Sequence, residues 1–112
     1  MRSDSRVKLS TALELGYQGM DINVGNGPAA KNPLGSSAKV RQALVLAIDR
    51  EALNQVVFNG EFVPGNQWVN PTNSYYQQAF PVPKRDVAKA KALLKEAGVT
   101  GPVAIDFMVP NG

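Results

Sequence analysis

Apolar residues recur at helical spacing in three stretches of the chain and alternate with polar ones in three others. Val40, Ala43, Leu44, Ala47 and Ile48 lie three or four apart and predict one amphipathic helix. Leu53, Val56 and Val57 predict a second over 50–58, and Val87, Ala90, Leu93, Leu94 and Ala97 a third. Each has a start signal. Ser36 or Ser37, Asp49 and Asp86 stand where a side-chain oxygen can accept an orphan backbone N–H. Gly60 and Gly98 stand where a left-handed residue would stop a helix.

The alternating stretches predict strands. Residues 7–12 alternate weakly. Residues 17–24 do so better, with Gln18, Met20, Ile22 and Val24 on one face and Tyr17, Gly19, Asp21 and Asn23 on the other. Residues 103–109 place Val103, Ile105, Phe107 and Val109 on one face. Between them, 25–35 reads as a loop rich in glycine, asparagine and proline, and 59–84 as a long loop holding four of the eight prolines. The order predicts an α/β (α+β) chain, one domain over 1–112, with three helices packed on a small mixed sheet. Three strands make a thin sheet, so an edge needing a partner is expected.

Composition narrows the chemistry. With 112 residues there is room for one domain and one modest core. The chain has no cysteine and no histidine, which removes disulfides, thiolate nucleophiles, most zinc sites and the side chain best suited to proton transfer near neutral pH. The net charge of +3 falls short of a nucleic-acid footprint. Lys84, Arg85, Lys89, Lys91 and Lys95 cluster, but no aromatic residues interleave with them, so a solvated helix face explains them and no nucleic-acid partner is expected. No apolar run is long enough to span a bilayer, and 1–6 lack an apolar signal core, so the chain is either cytoplasmic or cut from a longer one.

No phosphate cradle forms at Gly25-Asn26-Gly27-Pro28, which lacks the lysine and spacing of such loops. Asp49-Arg50-Glu51 is better explained by capping and surface pairing than by acid–base chemistry. The stretch 65–76 is different. It combines the amides of Asn66, Gln67, Asn70 and Asn73 with the rings of Trp68, Tyr75 and Tyr76. Amides suit peptide-like groups and aromatic rings suit apolar ones, so this loop is the candidate site for a polar organic ligand. The competing account is a loop pinned by its aromatics onto the core.

Val40-Arg41-Gln42-Ala43-Leu44 running through Ala47-Ile48-Asp49-Arg50-Glu51-Ala52-Leu53 resembles a segment of the extracytoplasmic solute-binding proteins, family 5, of peptide/nickel-type ABC importers. Gly60 and Pro64 resemble the glycine and proline that come after that segment in the family. Asp86 with 90–94 and Ala97-Gly98 resembles a later helix, and Tyr17 to Asn23 a strand that precedes the first. The combination is more specific than any single motif. The resemblance implies a periplasmic-binding-protein type II lobe, a ligand trapped between two lobes, a periplasmic location and delivery to ABC permease subunits. It implies no cofactor and no catalysis. The chain matches an interior part of the second, C-terminal lobe only. The implied solute is an oligopeptide or a related small molecule such as glutathione. Asn23, Trp68, Asn70 and Tyr75 are the expected ligand-binding residues, at the end of the 17–23 strand and in the 59–84 loop.

Two rival readings remain. One is a free-standing interaction module forming a homodimer through an exposed sheet edge or a helix face. The other is an enzyme using Asp21, Asp106 or a lysine, for which no feature assembles a nucleophile, a base and an oxyanion site.

Overall fold

The computed structural model describes residues 5–13 and 16–110. Four helices carry the regular structure: α1 (Pro33–Ser36), α2 (Ala38–Ala47), α3 (Arg50–Phe58) and α4 (Val87–Glu96), preceded by a 3-10 turn at Pro28–Ala30. Three of their starts have the capping residues that the sequence predicts. Ser37 Oγ accepts from the Val40 N–H at 3.4 Å, Asp49 Oδ1 from Ala52 at 2.9 Å and Asp86 Oδ1 from Lys89 at 2.8 Å. Asn59, at φ 52°, and Gly60, at φ 73°, turn the chain out of α3, and Gly98, at φ 74°, follows α4.

The loop expected over 25–35 contains a helix. Asn32 caps α1 through the Gly35 N–H at 2.9 Å, and Pro33 fills its first position, where a missing N–H costs nothing. Gly35 is required there. A Cβ on it would lie 2.2 Å from the Ala30 carbonyl oxygen and 2.8 Å from that of Asn23.

The packed part of the molecule is the pair α2–α4. The two run antiparallel. At one end Lys39 meets Glu96 at 2.9 Å; at the other the Asp86 N–H donates to the Leu46 carbonyl at 2.9 Å. Val40, Ala43 and Ala90 are the buried residues of these two helices. Small residues at 43 and 90 allow close approach, while Leu44, Leu46, Leu93 and Leu94 stay half-buried around them.

The sheet expected over 7–12, 17–24 and 103–109 does not form. No strand occurs among the described residues, and these three segments carry no regular structure. The architecture is therefore helical, which corrects the α/β expectation. Alternation specifies which side chains would share a face, but a strand exists only when a neighbour supplies its backbone partners, and no two of these segments pair. Without that sheet there is also no sheet edge among the described residues through which a homodimer could pair.

A second correction concerns α3. The helical spacing predicts that Leu53, Val56 and Val57 face inward, yet all three are exposed, and α3 packs against no other helix. Its buried residue is Asn54, whose amide donates to the Phe62 carbonyl at 2.7 Å and accepts the Phe62 N–H at 3.2 Å. Val87, on the apolar stripe of α4, is also exposed. The radius of gyration, 17.5 Å, exceeds the roughly 13 Å of a compact domain of this length, as unpaired segments demand.

Candidate functional site

Both ends of the 59–84 loop are fixed by the helical frame. At its entry Asn54 holds Phe62 by the two bonds above, and the Phe58 and Phe62 rings pack edge-on at 4.6 Å. At its exit Arg85 Nε donates to the Ala47 carbonyl at 3.0 Å, and its guanidinium lies 3.8 Å from the Asp49 carboxylate. Asp49 thus faces both α3, which it caps, and the returning chain. Arg85 belongs to this brace while its side chain stays half exposed.

Inside the loop, three successive turns are closed by backbone bonds: Asn73 N–H to Asn70 O, Tyr76 N–H to Asn73 O, and Phe80 N–H to Gln77 O. Asparagine side chains reinforce them. Asn70 Oδ1 accepts from the Thr72 N–H at 2.9 Å and the Thr72 hydroxyl at 2.6 Å, and Asn73 Oδ1 accepts from the Tyr75 N–H at 2.9 Å. Two further amides cross the loop. Asn66 Nδ2 donates to the Phe80 and Pro81 carbonyls, both at 3.2 Å. Gln67 bonds three times: Nε2 to Gln77 O at 3.0 Å and Phe80 O at 2.9 Å, and Oε1 from the Gln77 N–H at 3.0 Å. Much of the amide chemistry that marks the loop is therefore engaged in shaping it.

The four residues expected to bind ligand fall in two places. Asn23 ends the 17–23 segment, where its Oδ1 accepts from Asn26 at 2.8 Å and Gly25 at 3.3 Å while Nδ2 donates to the Asn26 carbonyl at 2.9 Å. Asn70 and Tyr75 stand in adjoining turns of the loop. Trp68 precedes them and reaches back across the sequence to Tyr17, their rings meeting edge to face at 5.3 Å and 85°. This contact joins the two segments named from sequence. Trp68 is 72% exposed and Tyr75 81%, so neither ring is buried in a core, and the account of a loop pinned by its aromatics does not apply to them. Tyr17 and Gln67 are absent from the residues expected on sequence to bind ligand. Tyr17 shares its alternating face with Asn23, a usable signal; nothing local to Gln67 tells it from its neighbours.

Two open depressions of about 560 Å³ each lie elsewhere. One runs along α2 and α4, lined by Arg41, Gln42, Val45, Leu46, Lys89 and Leu93. The other lies between α1 and the end of α4. Neither includes the aromatic loop. Among the described residues no cluster of acidic side chains could hold a metal ion, and no helix is long and apolar enough to cross a membrane.

The sequence profile of the bacterial extracellular solute-binding proteins, family 5 Middle, matches residues 1–111. The chain belongs to this family. Within family 5, it is 33% identical over 109 residues to the dipeptide-binding protein of Escherichia coli (strain K12), a match covering 96% of this chain and 19% of that protein. It is 36% identical over 98 residues to the glutathione-binding protein GsiB of the same strain, covering 88% of this chain and 18% of that one. To GsiB of Salmonella choleraesuis (strain SC-B67) it is 50% identical over 60 residues, covering 54% and 12%. The chain thus spans about a fifth or less of the length of these curated relatives. No solved structure matches it significantly.

Several residues that carry the family resemblance have structural work in this chain. Arg41 Nη1 donates to the carbonyls of Leu34 at 3.0 Å and Gly35 at 2.9 Å, tying α1 to α2. Arg50 Nη1 donates to the Val45 carbonyl at 3.0 Å, near the C-terminus of α2. Asp49 caps, and Ala43 and Ala90 fill the helix contact. These five lie outside the 59–84 loop, whereas Gly60 and Pro64, which also carry the resemblance, lie within it.

Proposed function

We propose that this chain is part of the substrate-binding component of an ABC importer, capturing an oligopeptide or a related small solute such as glutathione for transport. Its place would be an interior part of the C-terminal lobe of a two-lobe protein, periplasmic, with ABC permease subunits as partners. The observation that carries the reading is the family match over nearly the whole chain, joined to relatives named for dipeptide and glutathione binding. Those relatives are binding proteins, and the reading involves no catalysis.

On this reading Asn23, Trp68, Asn70 and Tyr75 face the solute. The exposed rings of Trp68 and Tyr75 would take apolar or planar parts of it, where burying flat surface costs little side-chain entropy. The Asn23 amide carries two N–H donors, and one reaches Asn26; the second would meet a carbonyl or carboxylate of a peptide. Closure of one lobe on the other would then trap the solute, as in hinge-closing binding proteins generally. Titration calorimetry on the whole protein encoded by the reading frame that contains this chain tests the proposal, using di- to pentapeptides and glutathione. Saturable heat with one of these supports it. Silence with all of them sinks it.

A further inference from the structure

The Trp68 ring is exposed, and the side chain of the residue before it is held by three hydrogen bonds. Gln67 uses its side-chain amide as a peptide group would be used. Oε1 accepts the Gln77 N–H and Nε2 donates to the Gln77 carbonyl, each at 3.0 Å, so the side-chain amide closes a ring with the backbone N–H and C=O of one residue ten positions on. A third bond, Nε2 to Phe80 O at 2.9 Å, ties the same point to the last turn of the loop. Asn66 adds bonds from the neighbouring residue to Phe80 and Pro81. The backbone at 66–67 is therefore clamped to 77–81, and Trp68 leaves that clamp directly toward Tyr17.

We infer that Gln67 is the positioning residue of a two-ring platform, holding Trp68 edge-on to Tyr17 so that the solute meets the two rings as a preset pair. The inference rests on the solute-binding reading and adds Tyr17 and Gln67 to it. Tyr17 lies 51 residues before Trp68, so nothing local to the chain holds the two rings together. An exposed ring free to rotate loses that freedom on binding, and a ring already set avoids part of this loss. The platform would take an apolar or planar side chain of a peptide ligand, in keeping with edge and face surfaces that are both accessible.

The test uses the whole protein and a double-mutant cycle read by calorimetry, with the tightest-binding peptide of an initial series as probe. Gln67→Ala should weaken binding about tenfold, and Gln67→Glu similarly, because a carboxylate cannot donate to the two carbonyls. In a Trp68→Ala background the same Gln67→Ala change should alter affinity less than about twofold, because there is no ring left to position. The near-ultraviolet circular dichroism of Trp68, taken as the difference from a Trp68→Phe counterpart, should collapse in Gln67→Ala without ligand present. Equal losses in both backgrounds would overturn the inference, since Gln67 would then act on the fold alone. So would an unchanged Trp68 signal, or unchanged affinity. If the unaltered protein binds none of the peptides or glutathione, the solute reading fails, and the platform's role in capture falls with it; that outcome is distinct because the Trp68 spectrum still reports whether Gln67 sets the ring.

Discussion

The helical frame and the segments around it use apolar residues in opposite ways. In the frame, two short helices close on each other through alanines. They are fastened at one end by Lys39 and Glu96 and at the other by Asp86, Arg85 and Asp49. Their N-terminal ends are capped by Ser37 and Asp86, carbonyls near the end of α2 are taken by Arg50 and Arg85, and Arg41 ties α1 to α2. Outside it, Ile105, Phe107, Val56 and Val57 carry as strong an apolar pattern and lie exposed. An apolar face becomes a core only when a partner with matching shape arrives, and a stretch of sequence carries no information about its partner's distance. In the frame α2 and α4 present such faces to each other, with polar ties at both ends. α3 has polar ties too, but it packs against no other helix, so its apolar face stays exposed.

Substitutions should divide along the same line. The largest effect is expected at Ala43, 2% exposed in the frame. Ala43→Asp would place a charge without a partner between α2 and α4 and should cost about 3 kcal/mol or more, measured by urea unfolding. Next is Gly35→Ala, which drives a methyl into the backbone of Ala30 and Asn23 and should cost about 1–3 kcal/mol. Asp49→Ala removes the α3 cap and should cost about 1 kcal/mol, with Asp49→Asn losing much less because it caps equally well. Lys39→Ala breaks an exposed ion pair and should cost at most about 0.5 kcal/mol, falling further in high salt. Val56→Ser, at a position 83% exposed, should change stability by less than about 0.5 kcal/mol. A loss at Val56 as large as that at Ala43 would break the comparison.

Legibility in the sequence depends on the range of the interaction. Caps act over three residues, so Ser37, Asp49 and Asp86 can be read directly, and the helices from 38, 50 and 87 with them. The four-residue helix at Pro33 is masked because glycine and proline around it spell a loop, although Asn32 followed by Pro33 is itself a start signal. The periodicity of α3 names an apolar stripe and so points to the wrong face, whereas Asn54 is buried by a bond to Phe62 eight residues away. The sheet fails for the same reason on a larger scale: alternation in 17–24 and 103–109 is local, and pairing is not. The aromatic loop stands out by composition. Its pairing of Trp68 with Tyr17 depends on contact between distant segments, and the clamp at Gln67 on a neighbour ten residues on.

On the proposed function, the α2–α4 pair is a frame, and the aromatic loop with the 17–23 segment is the surface that would meet the solute. Native-state hydrogen exchange on the whole protein, with and without a saturating bound peptide, tests this most directly. The account predicts slow exchange in α2 and α4 that the peptide leaves unchanged, with new protection concentrated in 17–23 and 66–76. Peptide-induced protection along the α2–α4 groove, with none in the loop, would contradict it.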